Sequence, residues 1–361
     1  MLVESSFQGD LSIRSIGTFE GAELNTQKID IVIPWVDGSD PEWIKLKNQY
    51  SNTQSAPDGA NTEIRYQSWD NLHLWFRAIE DCMPWYNRIF LVTCGHLPSF
   101  LNTNNPRLRI VWHDEFIPQK YLPTFNSNTI EMNLHRIEDL SENFILFNDD
   151  LFPIQKISEN YYFKNDLPCD QAVESPIMPV DIGDLSRWSC MVKTNDLLII
   201  NKHFKKREVQ KKNFFGWYNI KYGERLKRNI GLHYWNNFVG FHDPHMANPL
   251  KKSTLAHLWE VEPELLDEGS SNRFRGESDI SQYLIRYWQL CEGSFYPRKT
   301  QGKPFTVTVN NCKDIAEGIK QRKWQMVSLS ESGNAEDFVV IKNQINSALE
   351  EIFPSKSVFE K

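Results

Sequence analysis

The sequence lacks the features that mark a membrane-spanning, secreted or nucleic-acid-binding protein. No apolar run reaches the ~18 residues that a bilayer span requires. The N-terminus, MLVESSFQGD, carries acidic residues and has no basic region followed by an apolar stretch. The net charge of −7 gives no electrostatic reason to expect a nucleic-acid partner. We therefore expect a cytoplasmic protein, and the sequence leaves peripheral contact with a membrane surface open.

Cysteine is scarce and scattered. The chain has six cysteines with no CxxC spacing, a pattern that favours buried, reduced thiols over disulfides or a zinc site. Internal repeats and low-complexity tracts are absent as well. What is present is an ordinary globular composition, with 40% hydrophobic and 24% charged residues. A chain of 361 residues can form one large α/β domain with additions, or two domains.

Buried-type strands alternate with helical patterns in the first half of the chain. Continuous apolar runs rich in β-branched residues predict strands over 29–36, 88–93, 108–112 and 144–147. Apolar residues at helical spacing predict helices over 68–82 and 128–141. This order indicates an α/β fold with a mixed, largely parallel sheet flanked by helices.

The second half of the chain is less regular. The segment 191–201 is either helical or extended, and a helix is predicted over 277–291. The basic run 202–212 is more typical of a solvated helix face than of a binding patch. As a patch, it would meet a phosphate-bearing acceptor or an anionic membrane surface. A strand over 305–309 and two amphipathic helices complete the pattern.

These patterns suggest a division of the chain into three parts. Residues 1–27 form an N-terminal arm, and residues 28–300 form a central domain with a helical insertion after the fourth strand. Residues 301–361 form a small C-terminal appendage.

Carboxylates follow the C-terminal ends of two predicted strands. Asp37 and Asp40 come after the first strand, and Asp149 and Asp150 come after the fourth. Ligands of open α/β sheets collect at such strand ends, and a divalent metal held by carboxylates would neutralise a nucleotide diphosphate there. Gly38 would allow close backbone approach to the ligand. The alternative is that these acids form turns or cap helices, as Asp40 would for a helix beginning at residue 41.

Longer segments resemble a known family. IDIVIPWVDGSDPEW and the stretch 63–152, which ends in FILFNDDLF, resemble the first two conserved regions of the Stealth family. That family contains bacterial capsular polysaccharide phosphotransferases and the catalytic subunit of the lysosomal-enzyme GlcNAc-1-phosphotransferase. The third region is matched more loosely around 178–204, and the fourth is similar to HDPHMANPLKKSTLAHLW and EGSSNRFRGESDISQYLIRYW. The resemblance covers about 28–295 and the ending IFPSKSVFEK.

The resemblance implies a reaction. Members transfer a sugar 1-phosphate, typically from a UDP-N-acetylhexosamine, to a hydroxyl, forming a phosphodiester and releasing a nucleoside monophosphate. The central domain would then be a phosphotransferase domain in capsular or cell-surface polysaccharide synthesis. Its partners would be a nucleotide-sugar donor and a glycan or lipid-linked glycan acceptor, met in the cytoplasm or at the inner face of the bacterial membrane.

The resemblance also suggests a role for each strand-end residue. Asp149 and Asp150 would hold Mg²⁺ or Mn²⁺ on the diphosphate. The nucleotide end would be lined by the residues of the first turn, namely Trp35, Val36, Asp37, Gly38 and Asp40. Some members have Asn in place of Asp37. Asp40 and Asp150 are also expected among the catalytic residues.

Other predicted site residues lie outside the strand ends. His245, in the Asp-Pro-His-Met of the fourth region, would be the general base, since an imidazole pKa near 6.5 suits proton transfer at cellular pH. Arg65, Arg136 and Arg275 would contact the transferred phosphoryl group, because a guanidinium fork matches phosphate oxygens. Asn128 would face the substrate sugar.

Each of these residues also has a structural interpretation. Arg65 and Arg136 could form salt bridges, and Arg275 could pair with Asp279 at i+4. Asn128 and its neighbours could cap a helix. A single histidine is more often a hydrogen-bonded structural residue than a base.

Two other functions compete with phosphoryl transfer. A metal-dependent glycosyltransferase would use the same donor but would release UDP rather than UMP. If the protein is instead a non-catalytic glycan-binding protein, Asp150→Asn and His245→Ala should leave the activity of cell extracts, and the polymer made, unchanged.

Overall fold

The computed structural model describes residues 28–51, 68–180, 183–331 and 335–361. The predicted arm 1–27 and Arg65 lie outside these residues. The strands of the described residues are β1 Ile29–Pro34, β2 Ile89–Thr93, β3 Leu108–Trp112, β4 Asn143–Leu146, β5 Leu151–Pro153, β6 Phe163–Lys164, β7 Leu167–Asp170, β8 Asn248–Lys251, β9 Tyr296–Pro297, β10 Lys303–Val307 and β11 Met326–Glu331.

The helices of the described residues are α1 Pro41–Ser51, α2 Leu72–Cys82, α3 His113–Phe116, α4 Ser127–Glu131, α5 Asp184–His203, α6 Lys206–Lys212, α7 Phe214–Trp217, α8 Leu226–Gly231, α9 Lys252–Val261, α10 Pro263–Ser270, α11 Tyr283–Glu292, α12 Cys312–Lys320 and α13 Ala335–Ile352. Short 3₁₀ turns occur at Gln119–Tyr121, Leu134–Arg136, Glu159–Tyr161 and Ile220–Arg225. Among the described residues, no helix is long and apolar enough to cross a bilayer.

The central sheet has the strand order β3-β2-β1-β4-β8. The first four strands are parallel, and β8 runs antiparallel to β4. This confirms the predicted mixed, largely parallel α/β sheet. Because parallel strands end at one edge, the turns that follow β1, β2, β3 and β4 lie together. The antiparallel β8 begins at the same edge, since its Asn248 pairs with Leu146 at the end of β4.

Helices cover both faces of the central sheet, as its fully buried strands require. Ile31 and Ile33 of β1 point into a core that includes Trp75 of α2 and Ile345 of α13. Val32, on the opposite face, joins a core that includes helices α9 and α11. The alternation follows from the two-residue period of a strand. Strand β1 is therefore buried on both sides.

The C-terminal segment forms a second, three-stranded sheet with β5. Strand β11 pairs parallel with β10 and antiparallel with β5, which directly follows Asp150. The backbone N–H of Leu329 donates to the carbonyl of Asp150 (3.0 Å). The appendage predicted over 301–361 is therefore in contact with a strand-end acid. The boundaries of the three predicted parts stay a prediction.

Two local predictions differ from the structure. The helix expected over 128–141 is replaced by the short α4 and a 3₁₀ turn. There the side-chain amide of Asn133 donates to the carbonyl of Thr129 (2.8 Å), a side-chain-to-backbone bond that competes with helix continuation. The basic run 202–212 is not uniformly solvated, because Lys206 is fully buried and pairs with the buried Glu174 at 2.9 Å.

Other elements follow the sequence patterns with shifted ends. The undecided segment 191–201 is helical and lies within α5. Strand β10 begins two residues before the predicted strand, and α11 begins six residues after the predicted helix start. All six cysteines are free thiols, as the spacing indicated.

Candidate functional site

A cavity opens at the edge where the parallel strands end. Its lining residues come from the turns after β1, β2, β3 and β4, from the loop before α4, and from the loop before α11. We call it the strand-end cavity, and it is lined by Pro34, Trp35, Val36, Trp43, Cys94, His113, Thr124, Phe125, Ser127, Ile130, Asp149 and Arg275. Arg275 and Asp149 are therefore brought to one cavity from positions more than a hundred residues apart.

Two further cavities continue along the same edge. One shares Trp35, Val36 and Asp149 with the strand-end cavity and adds Asp37. The other has a volume of about 500 Å³ and shares lining residues with the strand-end cavity, among them Trp43 and Phe125. That volume lies within the range of small-molecule binding sites. The edge therefore offers an extended groove rather than one isolated pocket.

The carboxylates of the turn after β1 are engaged within the turn. Asp40 accepts a hydrogen bond from the backbone N–H of Trp43 (2.7 Å) at the start of α1, which is an N-cap contact. Asp37 accepts from the N–H (2.9 Å) and hydroxyl (2.6 Å) of Ser39. The structural interpretation thus applies to both acids. Asp40 is not among the lining residues of these cavities in the described part of the chain, and its catalytic role stays a prediction.

The backbone of the same turn is anchored by His96. The N–H of Asp37 donates to His96 Nε2 (2.7 Å), and the ring of Trp35 meets the His96 ring edge-on at 5.3 Å. Trp35 and Val36, which were predicted to line the nucleotide end of the donor, line the strand-end cavity. Gly38 lies within the turn. The apolar part of this turn faces the groove.

The turn after β4 engages a distant partner. His245 Nε2 lies 3.3 Å from Asp150 Oδ2, and the side chains are 42% and 16% exposed, respectively. The same oxygen accepts from the hydroxyls of Ser328 (2.9 Å) and Ser330 (3.4 Å) of β11. His245 has a backbone φ of +49°, a left-handed conformation that is uncommon for a residue with a side chain. An acid and an imidazole are thus held together at the sheet edge.

The pairing shifts the protonation of both groups. The hydrogen bond to Asp150 raises the pKa of His245 above its usual 6.5, against the opposing effect of burial. Burial pushes the pKa of Asp150 upward, but the hydrogen bond and charge of His245 together with Ser328 hold it below 3.8. The arrangement therefore favours a carboxylate that supports a protonated imidazole.

Arg275 lies between the cavity and helix α5. Its guanidinium carbon is 4.9 Å from the centre of the Trp188 ring, a cation–π contact. Asp279, the expected i+4 partner, instead accepts from the side-chain nitrogens of Asn126 (2.9 Å) and Asn128 (3.1 Å). Arg275 therefore faces the strand-end cavity and is held by an aromatic ring.

Glu131 is a buried acid near the candidate site that the sequence patterns did not identify. It is buried at the end of α4, where burial raises its pKa to about 7 against the lowering effects of the Arg275 charge, the Gln282 side chain and His245. A buried carboxyl that titrates near neutrality beside Arg275 and His245 is typical of an active site. The sequence signal available was an acid next to Ile130 in the first turn of the helix predicted over 128–141.

Two other predicted site residues are placed elsewhere. Arg136 is exposed, bonds to Asn133 (3.0 Å) and stacks on Trp259 of α9 at 4.6 Å. Asn128 is buried, with its amide directed to Asp279 rather than toward the groove. Asn126 caps α4 by accepting from the N–H of Asn128, so capping is the interpretation that the structure supports there.

A second polar cavity lies on the other side of α5. We call it the serine-lined cavity; it has a volume of about 310 Å³ and its walls include Ser175, Ser186, Ser189, Lys193, His242 and Asp243. Lys193 Nζ is 3.6 Å from Asp243 Oδ2, and its charge also acts on His245. Helix α5 thus contacts Arg275 through Trp188 and lines the serine-lined cavity through Ser189 and Lys193.

The strand-end acids fit a divalent cation only in part. In the described stretches of the chain, no group of three or more His, Cys, Asp and Glu side chains is arranged to hold a metal. Asp150 Oδ1 is, however, a buried carboxylate oxygen without a hydrogen-bond partner, and Asp149 lines the groove. Mg²⁺ usually takes one or two carboxylates and completes its shell with water and substrate phosphates. The two residues suit an ion that is completed by substrate.

Comparison with known proteins places the chain in a family. The model described as Stealth protein CR1, conserved region 1, matches residues 27–55, and that of Stealth protein CR2, conserved region 2, matches residues 65–170. The capsular polysaccharide phosphotransferase WcwK of Streptococcus pneumoniae is 37% identical, covering 93% of this chain and 99% of the relative. The exopolysaccharide phosphotransferase cps2G of Lactiplantibacillus plantarum is 33% identical, covering 92% and 96%.

Solved structures are less similar. Mouse xyloside xylosyltransferase 1 in its apo form aligns with a TM-score of 0.31 at 9% identity, covering 86% of this chain and 98% of that one. This likeness is too weak to carry an argument. The relatives above 30% identity extend over more than nine-tenths of the chain. The chain therefore belongs to the Stealth family and is an enzyme of the transferase class.

Proposed function

We propose that this enzyme transfers a sugar 1-phosphate, most simply N-acetylhexosamine 1-phosphate, from a nucleotide diphosphosugar to a glycan hydroxyl. The products are a phosphodiester and a nucleoside monophosphate, and the process served is capsular or cell-surface polysaccharide synthesis. The names of the relatives support phosphoryl transfer to polysaccharide. The observation that carries the proposal is the Asp150–His245 pair beside a cavity lined by Arg275.

The donor occupies the groove at the strand ends. Its nucleotide lies toward Trp35 and Val36, and its diphosphate lies toward Asp149 and Arg275, all of which line the strand-end cavity. The Arg275 guanidinium is suited to the equatorial oxygens of the transferred phosphoryl group, where negative charge is concentrated in the transition state. The charge of Arg275 also acts on buried Glu131, whose pKa it lowers against the effect of burial.

His245 acts as the general base. When its Nε2–H donates to Asp150, the lone pair of Nδ1 is left to accept the proton of the acceptor hydroxyl. The hydroxyl oxygen then attacks the phosphorus that bears the sugar, and the bond from that phosphorus to the nucleoside phosphate breaks. The sugar C1–O bond is untouched, so the anomeric configuration is retained. Asp150 stabilises the imidazolium that forms.

A divalent cation, Mg²⁺ or Mn²⁺, fits this scheme. Asp149 and the unpartnered Oδ1 of Asp150 would hold it. When bound, it would supply positive charge to the diphosphate and stabilise the departing phosphate.

The acceptor approaches from the serine-lined cavity. Hydroxyls of Ser175, Ser186 and Ser189 and the charged pair Lys193–Asp243 offer the hydrogen-bonding groups that a sugar requires. This cavity adjoins the segment that carries His245, because Asp243 is only two residues away. The acceptor is thus a glycan, free or linked to a lipid.

The identity of the released nucleotide tests the proposed function. Purified enzyme is incubated with a panel of nucleotide sugars, a glycan acceptor and Mg²⁺, and the nucleotide product is identified by chromatography. We expect a nucleoside monophosphate and a phosphodiester-linked glycan. Release of a nucleoside diphosphate would mean that the sugar–oxygen bond breaks and that the enzyme is a glycosyltransferase. Full turnover in excess chelator would remove the cation from the scheme.

A further inference from the structure

The segment 205–235, which includes helices α6, α7 and α8, differs in charge from the rest of the chain. It contains nine Lys and Arg residues and only two Glu residues, whereas the whole chain has a net charge of −7. One of the nine, Lys206, is buried against Glu174 and does not reach the surface. The exposed basic side chains are Lys205, Arg207, Lys211, Lys212, Lys221, Lys227 and Arg228.

The same segment exposes large apolar side chains. Ile220 is 87% exposed, and Phe215 and Tyr234 are each 81% exposed. Phe214, Ile230 and Trp235 are more than half exposed as well. Single exposed apolar residues are ordinary, but a contiguous group marks a surface that is covered by a partner.

Ring contacts show that these side chains form one surface. Phe215 and Phe214 are 5.7 Å apart, and Phe214 stacks on Tyr218 at 4.8 Å. The Tyr218 hydroxyl lies 2.9 Å from His233 Nδ1, and the His233 ring is 5.9 Å from that of Tyr234. The chain of contacts joins α7 to the loop after α8.

Hydrogen bonds bring Ile220 and Arg207 to this surface. Asn219, next to Ile220, donates to the carbonyl of Phe215 (2.9 Å). Arg207 of α6 donates to the carbonyl of Tyr234 (3.2 Å). Basic side chains therefore lie directly beside the aromatic ones. We call the exposed members of 205–235 the basic aromatic face.

We propose that the basic aromatic face binds the surface of an anionic lipid bilayer. Aromatic and aliphatic side chains flanked by Lys and Arg are the composition of proteins that lie in a membrane interface, where the rings enter the headgroup region and the cations meet lipid phosphates. The positive face complements an anionic leaflet, and the net negative charge of the whole chain is repelled by it. The bilayer is therefore contacted by this face alone.

The face also adjoins the proposed acceptor cavity. Arg228 donates to the hydroxyl of Ser175 (3.1 Å), and Ser175 lines the serine-lined cavity. An acceptor glycan linked to a membrane lipid would thus be presented to the enzyme at the edge of this cavity. This last step rests on the proposed function, whereas binding to the bilayer does not.

Vesicle flotation of the full chain tests the proposal. We compare vesicles of phosphatidylcholine alone with vesicles that contain phosphatidylglycerol. Binding is expected only to the anionic vesicles and is expected to weaken at high salt, because each basic residue near an anionic surface strengthens binding roughly fivefold. Equal binding to both vesicle types, or none to either, would overturn the proposal.

Two variants separate the apolar and charged contributions. Phe215→Ser/Ile220→Ser/Trp235→Ser and Lys211→Glu/Lys212→Glu should each weaken binding to anionic vesicles at least about tenfold. Their controls change exposed residues of the same chemical classes in the C-terminal segment. These controls are Val339→Ser/Val340→Ser/Val358→Ser and Lys313→Glu/Lys323→Glu, and both should bind as the parent does.

Activity and mass measurements complete the test. Nucleotide release with a soluble acceptor should be unchanged in the face variants, so that loss of membrane binding is distinguished from failure of the proposed function. Gel filtration should give the same mass for the parent and the variants. A smaller mass for the variants would show that the face joins two copies of the chain, and unchanged vesicle binding by the variants would show that another surface meets the bilayer.

Discussion

Two acidic turns follow neighbouring strands of the same sheet, yet their carboxylates have different roles. After β1, Asp37 and Asp40 accept hydrogen bonds from groups within three residues. After β4, Asp150 reaches His245 at 3.3 Å and Ser328 at 2.9 Å, far along the chain. In these two turns, the acid that precedes a helix caps that helix, whereas the acid that distant segments meet is bonded to a histidine and a serine.

His245 provides the strongest test of this difference, because of these two turns only the second has a carboxylate bonded to a histidine side chain in the described residues. His245→Gln keeps a side chain of similar size but removes the base, and we expect kcat to fall by about 10²–10⁴ with donor KM little changed. Nucleotide release under saturating donor measures it. His257→Gln changes a partly exposed histidine of α9 that pairs with Glu260; it is the control and should stay within about twofold. A similar loss in both variants would leave His245 without a special role.

Arg275 tests whether the strand-end cavity, which Asp149 of the second turn also lines, holds the substrate. Arg275→Ala removes the guanidinium from the strand-end cavity, and kcat should fall by about 10²–10³, the range for one electrostatic contact in the transition state. Arg136→Ala, which changes an exposed arginine stacked on Trp259, is the control and should have little effect. A loss under tenfold for Arg275→Ala would assign that residue a structural role.

Replacing Asp150 removes the carboxylate of the second turn that pairs with His245, and the pH dependence of kcat/KM measures the effect. Asp150→Asn should lower kcat by about 10²-fold, as is usual when the partner that orients a functional histidine is removed. The hydrogen bond to Asp150 raises the pKa of His245, so activity of the parent rises with pH through a value above 6.5. In Asp150→Asn that rise should move to lower pH. An unmoved pH profile would contradict the pairing.

Asp40 tests the first turn, where the carboxylate caps helix α1. Asp40→Ala removes an N-cap and should lower the free energy of unfolding by about 1 kcal/mol, while kcat changes by less than about threefold. Chemical denaturation and nucleotide release measure the two effects. Asp40→Asn retains a capping oxygen and should restore the stability. A large loss of kcat in both variants would return Asp40 to the catalytic group.

Local patterns predicted much of the fold but less of the site. The four parallel strands are largely apolar, because a strand that is covered on both faces carries few polar side chains, and each was recognisable without its neighbours. The strand ends therefore located Asp149 and Asp150 at the sheet edge. The helix expected over 128–141 was wrong, since the Asn133 side chain bonds to the backbone of Thr129 and the apolar spacing conveys nothing of that bond.

The site residues that were misplaced or missed share one property. Arg136, Asn128 and Glu131 lie within ten residues of one another, and sequence spacing cannot show which of them faces the groove. In the structure, Arg136 stacks on Trp259, Asn128 bonds to Asp279, and Glu131 is buried near Arg275. Each outcome depends on a partner more than a hundred positions away.

The sequence by itself determined the secondary-structure elements and the residues available for chemistry. These are the buried strands, the acids at their ends, and a family pattern that contains His245 and Arg275. Which acid meets which partner was decided only by tertiary structure. Antiparallel β8 brings the His245 segment to the edge where β4 ends, and β11 adds Ser328 to Asp150. The physical reason is that hydrogen bonds and pKa shifts act over a few ångströms in space, whereas apolar periodicity is a property of neighbours along the chain.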